Sequence, residues 1–319
     1  MKLLNFLFAD VYSKQYFPDS PALDYSGYAA SITKNPLRLV FEKMFNEDEG
    51  FYMRSNETWV IHDPSQIVEI DGILTIFVTG KEQSDGYKCS AESWYMFPGE
   101  TGWRPGNCIW PSNKERPDWI KDEIGTKSIA VWAPGVLNSR TVYYSFTNGG
   151  MSSSVQCTGV VKITGKAPNL DWQDTGEGVT CSFDPEKYTN DDYPAAIDPA
   201  GFIDSDGKSY VVYGGGHMTI AQVDSTTGLA DNWYPEGHHV IANGAKHISE
   251  TAMEIAPNME KENDGYYWAE APYMFKNGEF YYLFYNWYGC CSENASYEVR
   301  VCRSTSPISG FKDDKGKFK

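Results

Sequence analysis

A short proline-containing motif returns at nearly equal intervals along the chain. Its four copies read HDPS at 62–65, WAPG at 132–135, IDPA at 197–200 and EAPY at 270–273, and their prolines are 70, 65 and 73 residues apart. Each copy is followed by an apolar stretch, a turn and a second, aromatic-rich stretch. A period near 70 residues, each unit opening with a hairpin, is long enough for a four-stranded propeller blade with extended loops. The repeat therefore predicts an all-β propeller.

The turns inside these hairpins help to place the repeats. Most of them are the Asp-Gly or Asn-Gly pairs that favour two-residue hairpin turns. The predicted turns are Asp71-Gly72, Asn138-Ser139, Asp206-Gly207 and Asn277-Gly278.

The repeats divide the chain unevenly. Four of them fill residues 58–319, which we assign to a propeller domain, whereas a ring of five blades needs one more. Residues 1–57 form an N-terminal segment outside the repeat, and the best helix candidate, at 36–45, lies within it. Either this segment supplies strands that close the ring, or the sequence stops before the fifth blade is complete.

Composition excludes some partners. The chain has 27 Lys and Arg against 43 Asp and Glu, a net charge of −16, and so acidic a surface repels nucleic acid and anionic membranes. No run reaches the roughly 18 apolar residues of a membrane span. The 22 Tyr and 10 Trp suit either sugar stacking in a cleft or simply β-strands.

The cysteines and the N-terminus are less informative. Seven Cys, an odd number without CxxC spacing, indicate neither a zinc site nor a full disulfide framework, so we expect mostly free thiols, with room for one bridge. The apolar stretch at the start is short and is not followed by a clear cleavage site. The compartment is therefore left open.

Three of the four motifs carry a carboxylate, Asp63, Asp198 or Glu270. Because the first strand of each propeller blade lines the central channel, these side chains are expected to face one another at one end of it. Hydrolysis of a glycosidic bond uses one carboxylic acid to protonate the leaving oxygen and one carboxylate to activate water or attack carbon. A third carboxylate nearby can modulate and orient the acid.

Each acid also has a plain structural interpretation. Asp-Pro is a common turn dipeptide, which would account for Asp63 or Asp198 taken alone. Glu270 is not a turn former, and a structural salt bridge is its alternative. Their shared phase in the repeat favours a functional role for the set.

The same residues carry a family resemblance. HDPS, WAPG, AIDPA, EAPY and the tail YNWYGCCSENASYEVRVCRSTSPISGFKDDKG resemble glycoside hydrolase family 43, the five-bladed propeller glycosidases, and most resemble its endo-α-1,5-L-arabinanases. The resemblance runs from about residue 59 to 316. It implies an inverting glycosidase acting on arabinan or a related arabinose or xylose oligosaccharide, working as a monomer.

The resemblance also implies roles for the three acids. Asp63 would be the general base, Glu270 the general acid, and Asp198 the residue that modulates and orients the acid. Since an inverting enzyme must admit a water molecule, the carboxyl groups of Asp63 and Glu270 should lie about 6.5–9.5 Å apart.

Further residues are candidates for contacting the sugar. His62 would hydrogen-bond the base or the sugar, although a histidine in such a place is as often structural. Trp132 would form a wall against a furanose ring, or else a buried contact between blades. Ser153 and Ser154, in a Ser-rich segment, would approach the substrate, or simply belong to a loop.

The resemblance has gaps that keep other functions open. The family's last blade generally carries a histidine that helps to hold a metal, often calcium, and nothing after Ser304 matches it, so the metal is unknown. An exo-acting α-L-arabinofuranosidase or β-xylosidase of the same fold is the first alternative. A non-catalytic sugar-binding propeller is the second.

Overall fold

A computed structural model gives the fold of the repeat region. It describes residues 62–80, 89–100, 102–111, 117–120, 130–147, 155–182, 194–243, 269–287 and 298–312. The N-terminal segment 1–57, with its helix candidate, lies outside these ranges. Within them the chain is built of β-strands, apart from a helical turn at 118–120. No helix in these ranges is long and apolar enough to span a membrane.

The strands of the described residues form four antiparallel sheets, each following the order of the chain. These sheets are the predicted blades, and we number them 1 to 4. Blade 1 contains β1 (Val68–Ile70), β2 (Ile73–Thr79), β3 (Cys89–Met96) and β4 (Arg104–Pro111). Blade 2 contains β5 (Ala130–Asn138), β6 (Thr141–Thr147), β7 (Gln156–Ile163) and β8 (Trp172–Cys181). Blade 3 contains β9 (Ala200–Ile203), β10 (Ser209–Tyr213), β11 (His217–Val223) and β12 (His238–Asn243). Blade 4 contains β13 (Ala269–Asn277), β14 (Phe280–Trp287) and β15 (Glu298–Ser304).

The blades meet through inner strands, which are the second strand of blade 1 and the first strands of blades 2, 3 and 4. β2 contacts β5, β5 contacts β9, and β9 contacts β13. Gln66 joins three blades, because its Oε1 accepts a 3.2 Å hydrogen bond from the N–H of Val136 and its Nε2 donates a 3.3 Å bond to the carbonyl of Gly201. These inner strands therefore surround a common centre, as in a propeller, and the all-β, blade-by-blade expectation is confirmed for these four blades.

Close packing at this centre requires a glycine. A Cβ on Gly135 in β5 would lie 1.8 Å from the carbonyl oxygen of Pro199, just before β9. Only a residue without a side chain lets blades 2 and 3 approach this closely.

The predicted hairpins are present, but three turns differ in detail. Asp71 and Gly72 form a two-residue turn with positive φ at both positions, as predicted. In blades 2 and 4 the strands stay paired through Asn138 and Asn277, so the turns fall one residue later, at 139–140 and 278–279. In blade 3 the connection is a longer loop, 204–208, closed by a bond from the N–H of Asp204 to the carbonyl of Lys208.

Ion pairs tie the hairpin ends of neighbouring blades together. Asp71 of blade 1 accepts a 2.8 Å hydrogen bond from Arg140 of blade 2. Asp204 of blade 3 accepts a 2.5 Å bond from Lys276 of blade 4, and also one from the hydroxyl of Tyr281. The second pair is much more buried than the first, and buried pairs are screened less by solvent.

Aromatic residues fill the interior of the blades. The largest fully buried side chains are mostly aromatic and include Trp94, Trp110, Tyr143, Tyr213, Tyr282 and Phe146. The strand-packing interpretation of the aromatic content is therefore the correct one for these residues.

The expectation of mostly free thiols is wrong for the described part of the chain. Two disulfides join strands within a blade, Cys89 to Cys108 in blade 1 and Cys157 to Cys181 in blade 2. Cys157 and Cys181 stand directly opposite each other on β7 and β8. The pairing depends on strand register, which cysteine spacing alone does not reveal. Cys290 and Cys291 lie outside the described residues.

Candidate functional site

The four motifs share one unusual backbone conformation. Asp63, Ala133, Asp198 and Ala271 all have positive φ, of 46°, 41°, 53° and 54°, and each immediately precedes the proline of its motif. We call these four positions the blade openings. The repeat seen in the sequence is thus a repeated backbone geometry.

This conformation is costly for residues other than glycine. Asp and Asn tolerate it through local hydrogen bonds, whereas Ala pays a steric penalty of roughly 1–2 kcal/mol. Ala133 and Ala271 nevertheless adopt it. Strained residues of this kind persist where surrounding contacts fix them, and they cluster at active sites.

Hydrogen bonds from one blade to the next hold the openings in place. The N–H of Ala133 donates to Thr79 Oγ1 of blade 1 at 2.7 Å. The N–H of Asp198 donates to Ser145 Oγ of blade 2 at 3.0 Å, and that of Ala271 donates to Asp198 Oδ2 of blade 3 at 3.0 Å. The openings of blades 2, 3 and 4 are therefore each anchored to a side chain of the preceding blade.

Thr79 and Ser145 occupy the same place in their blades. Thr79, which ends β2, pairs with His62, and Ser145 in β6 pairs with Trp132, so each lies opposite the residue before an opening. Sequence reasoning missed both residues. Their position near the end of the second strand, in phase with the motif, becomes informative only once the strand register is known.

Blade 3 departs from this pattern for a steric reason. Its corresponding residue is Gly214, whose N–H donates to the carbonyl of Ile197 as that of Thr79 does to His62. A Cβ on Gly214 would lie 1.9 Å from the carbonyl oxygen of His217, so no side chain fits there. The carboxylate of Asp198 takes over as the acceptor for the next opening.

Because Asp198 is the acceptor for the opening of blade 4, it lies close to Glu270. The bond from Asp198 ends on the peptide N–H that directly follows Glu270. Asp198 is half-buried, whereas Glu270 is only 6% exposed. Glycosidases keep the general acid in a less solvated place than its partner carboxylate, and Glu270 has that environment.

Asp63 lies at the first opening and is exposed. Its Oδ2 accepts a 2.8 Å hydrogen bond from the hydroxyl of Thr79, which in turn holds the opening of blade 2. An unbroken series of contacts thus runs from Asp63 through blades 2 and 3 to the peptide beside Glu270. The separation of about 6.5–9.5 Å between the Asp63 and Glu270 carboxyl groups stays a prediction.

The other predicted contacts are placed only in part. His62 is exposed and pairs with Thr79 through its backbone. Trp132 is half-buried, directly before the opening of blade 2. Ser153 and Ser154 lie outside the described residues.

The metal that the family resemblance suggests stays a prediction, because the described residues offer no cluster that would hold it. They include no group of three or more His, Cys, Asp or Glu side chains arranged to hold an ion. No residue is therefore assigned to calcium, and no step of the chemistry is derived through it.

Two carboxyls outside the four motifs, Glu92 and Asp174, have a raised pKa. Burial raises the pKa of Glu92 in β3, against the effect of a hydrogen bond from Trp94. Burial likewise raises the pKa of Asp174 in the outermost strand of blade 2, where Tyr144, Trp119 and the N–H of Gly176 donate to it. Both accept hydrogen bonds from neighbouring side chains, which is a structural arrangement.

Comparison with known proteins places the chain in a family. The sequence profile described as glycosyl hydrolases family 43 matches residues 87–317. The extracellular exo-alpha-(1->5)-L-arabinofuranosidase ArbA of Cellvibrio japonicus is 26% identical over 247 residues, covering 71% of this chain and 65% of that protein. Arabinan endo-1,5-alpha-L-arabinosidase A of Aspergillus aculeatus is 28% identical over 269 residues, covering 80% and 69%.

A solved structure agrees with the fold. The GH43 endo-arabinanase from Bacillus licheniformis has a TM-score of 0.60 and 24% identity, covering 84% of this chain and 79% of that one. The chain spans about two-thirds of the length of the two curated relatives. The family profile, however, matches well over half of its residues, and the protein therefore belongs to glycosyl hydrolase family 43.

Proposed function

We propose that this protein hydrolyses the α-1,5 linkages of L-arabinan with inversion at the anomeric carbon. The family is one of glycosyl hydrolases, and the relatives above are named for action on α-1,5-linked arabinose. The observation that carries the proposal is the bond from Ala271 to Asp198. It joins two of the three carboxylate-bearing motifs and leaves Asp63 at a third, equivalent opening.

The three carboxyl groups divide the chemistry between them. Asp63, the exposed one, removes a proton from a water molecule as that water attacks the anomeric carbon. Glu270, the buried one, gives its proton to the departing sugar oxygen. Asp198 does not exchange a proton with the substrate, and it fixes the peptide that carries Glu270.

An exo-acting arabinofuranosidase is the second candidate. The Cellvibrio japonicus relative is named as an exo enzyme, whereas the Aspergillus aculeatus relative is named as an endo enzyme. The products formed early from linear arabinan distinguish the two, because an endo enzyme releases a mixture of oligomers and an exo enzyme releases one small product. We favour endo action.

We further propose that a fifth blade completes the ring. Asn286 in β14 pairs with Glu270, so it occupies in blade 4 the place of Thr79 and Ser145. Its Oδ1 is buried and accepts no hydrogen bond within the described part of the chain. A fifth opening, docked as the others are, would donate its N–H to this oxygen. The buried Oδ1 of Asn286 therefore supports the proposal.

Conservative substitutions test the catalytic assignment. Asp63→Asn, Asp198→Asn and Glu270→Gln should each remove most reducing-sugar release from arabinan while leaving thermal unfolding nearly unchanged. Asp71→Asn is the matched control, since Asp71 has the same positive φ but lies in a hairpin turn. Near-normal turnover in all three variants would contradict the assignment, and a wild-type protein that binds arabinan without cleaving it would indicate a sugar-binding propeller.

A further inference from the structure

We propose that Thr79 is a positioning residue for Asp63, whose carboxylate it holds in the orientation that general-base catalysis needs. The inference rests on the proposed function. It concerns a residue that belongs to no motif and that the chemistry above does not require.

The hydrogen bonds of Thr79 fix the direction of its proton. A backbone N–H can only donate, so Thr79 Oγ1 must act as the acceptor towards Ala133. A hydroxyl carries one proton, and that proton is then available for Asp63 Oδ2, 2.8 Å away. Thr79 is therefore a donor to the carboxylate.

The direction of this bond suits a base. An ionised carboxylate accepts hydrogen bonds and cannot donate them, so a hydroxyl that donates is the matching partner for a carboxylate that takes a proton from water. The bond also engages Oδ2 and thereby directs Oδ1 towards the attacking water.

The surroundings of Asp63 make such a restraint necessary. Asp63 is exposed, and an exposed carboxylate exchanges readily between side-chain rotamers. Among the described residues, Thr79 is the side chain that hydrogen-bonds it. Correct alignment within a site contributes strongly to rate, because a small displacement of a reacting group is costly.

Thr79 also connects the base to blade 2. Its acceptor bond holds the peptide N–H that follows Trp132, the residue proposed to lie against a sugar ring. One hydroxyl thus sets both the orientation of the base and the placement of the next opening. Ser145 holds the N–H of Asp198 in the same way.

Kinetics of Thr79 variants on linear arabinan test the proposal. Thr79→Val removes the hydroxyl at nearly constant shape and should lower kcat about tenfold to a hundredfold, with KM changed by less than about threefold. Thr79→Ser keeps the hydroxyl and should restore kcat to within about threefold of wild type. A merely structural role would not produce this rescue with an unchanged KM.

The matched control is Thr75→Val. Thr75 is a buried threonine four residues earlier on β2, and its hydroxyl donates to the carbonyl of Ile73. Its loss should affect stability but not kcat. Thermal unfolding is recorded for every variant, and if Thr79→Val is not folded, Thr79→Ala is compared with Thr79→Ser instead.

The outcomes separate the two proposals. If wild type is active and Asp63→Asn is not, but Thr79→Val or its Ala substitute turns over as fast as Thr75→Val, the positioning role is wrong. If wild type releases no sugar, or Asp63→Asn is as active as wild type, the proposed function itself fails.

Discussion

The carboxylate of Asp198 accepts a 3.0 Å hydrogen bond from the backbone N–H of Ala271. A side chain of blade 3 thereby fixes the strained peptide next to Glu270 in blade 4. Asp198 is thus linked to Glu270 through the backbone.

Removing the carboxylate of Asp198 should lower both the free energy of unfolding and the hydrolytic activity. Asp198→Ala leaves the N–H of the buried Ala271 without its partner, and we expect the free energy of unfolding to fall by about 1–3 kcal/mol. Asp198→Asn retains an oxygen at that position and should lose less. Urea unfolding measures the difference.

The control for this prediction is Asp63→Ala. It places alanine in the same left-handed backbone without depriving a main-chain N–H of its acceptor. An equal loss of stability in Asp198→Ala and Asp63→Ala would show that the bond to Ala271 contributes nothing.

Acid should weaken the contact between blades 3 and 4. Burial alone would raise the pKa of Asp204, but hydrogen bonds from Lys276, Tyr281 and Ser205 together outweigh it and lower the pKa to about 2. Because the folded-state pKa lies below the ordinary aspartate value of 3.8, the stabilisation is complete above that value and is lost as pH falls towards 2.

The measurement is urea unfolding of wild type and Asp204→Asn between pH 6 and pH 2. Wild type should be more stable by about 1–3 kcal/mol near pH 6, and the difference should shrink below about pH 4. Asp206→Asn, at the exposed pair with Lys208, should show little effect at any pH. A difference between wild type and Asp204→Asn that is independent of pH would refute the prediction.

Blade 2 should depend on its disulfide. Replacing both Cys157 and Cys181 by Ser removes a cross-link between residues 24 apart in sequence and should lower the free energy of unfolding by about 2–4 kcal/mol. Peptide mapping of unreduced protein should recover the two cysteines in one linked fragment. Alkylation of both in unreduced, unfolded protein would exclude the bridge.

The approach of blades 2 and 3 should not tolerate a methyl group. Gly135→Ala would place a carbon 1.8 Å from the carbonyl of Pro199, so the blades must separate, at a cost of about 1–3 kcal/mol. Gly102→Ala, where an added carbon meets nothing within 4 Å, is the control. Equal thermal unfolding temperatures for the two variants would contradict the close contact between Gly135 and Pro199.

The fold of the repeats could be predicted because its signals are local. The spacing of the Pro64, Pro134, Pro199 and Pro272 motifs and the hairpin after each one indicated the blades without knowledge of any contact. The turns in blades 2 and 4 were misplaced by one residue because strand pairing extends through Asn138 and Asn277. Pairing of this kind depends on the partner strand.

The candidate site could be predicted only as a set of motifs. Asp63, Asp198 and Glu270 were found because they share a phase in the repeat. Thr79 and Ser145 could not be found, because a hydroxyl residue in a strand has no distinctive pattern until the register places it opposite a motif. The positive φ of Ala133 and Ala271 could not be predicted from the sequence either, since alanine rarely adopts that conformation.

The hydrogen bonds that hold the openings of blades 2, 3 and 4 all run in one direction around the propeller. Among the described residues, the openings of blades 2, 3 and 4 each take an acceptor from the blade before them, so the dependence is directional. A fragment lacking blade 1 would leave the N–H of Ala133 without Thr79, whereas a fragment lacking blade 4 would leave the openings of blades 2 and 3 with their acceptors. Tolerance to truncation is thus asymmetric, and shortening from the C-terminal side should disturb the remaining blades less.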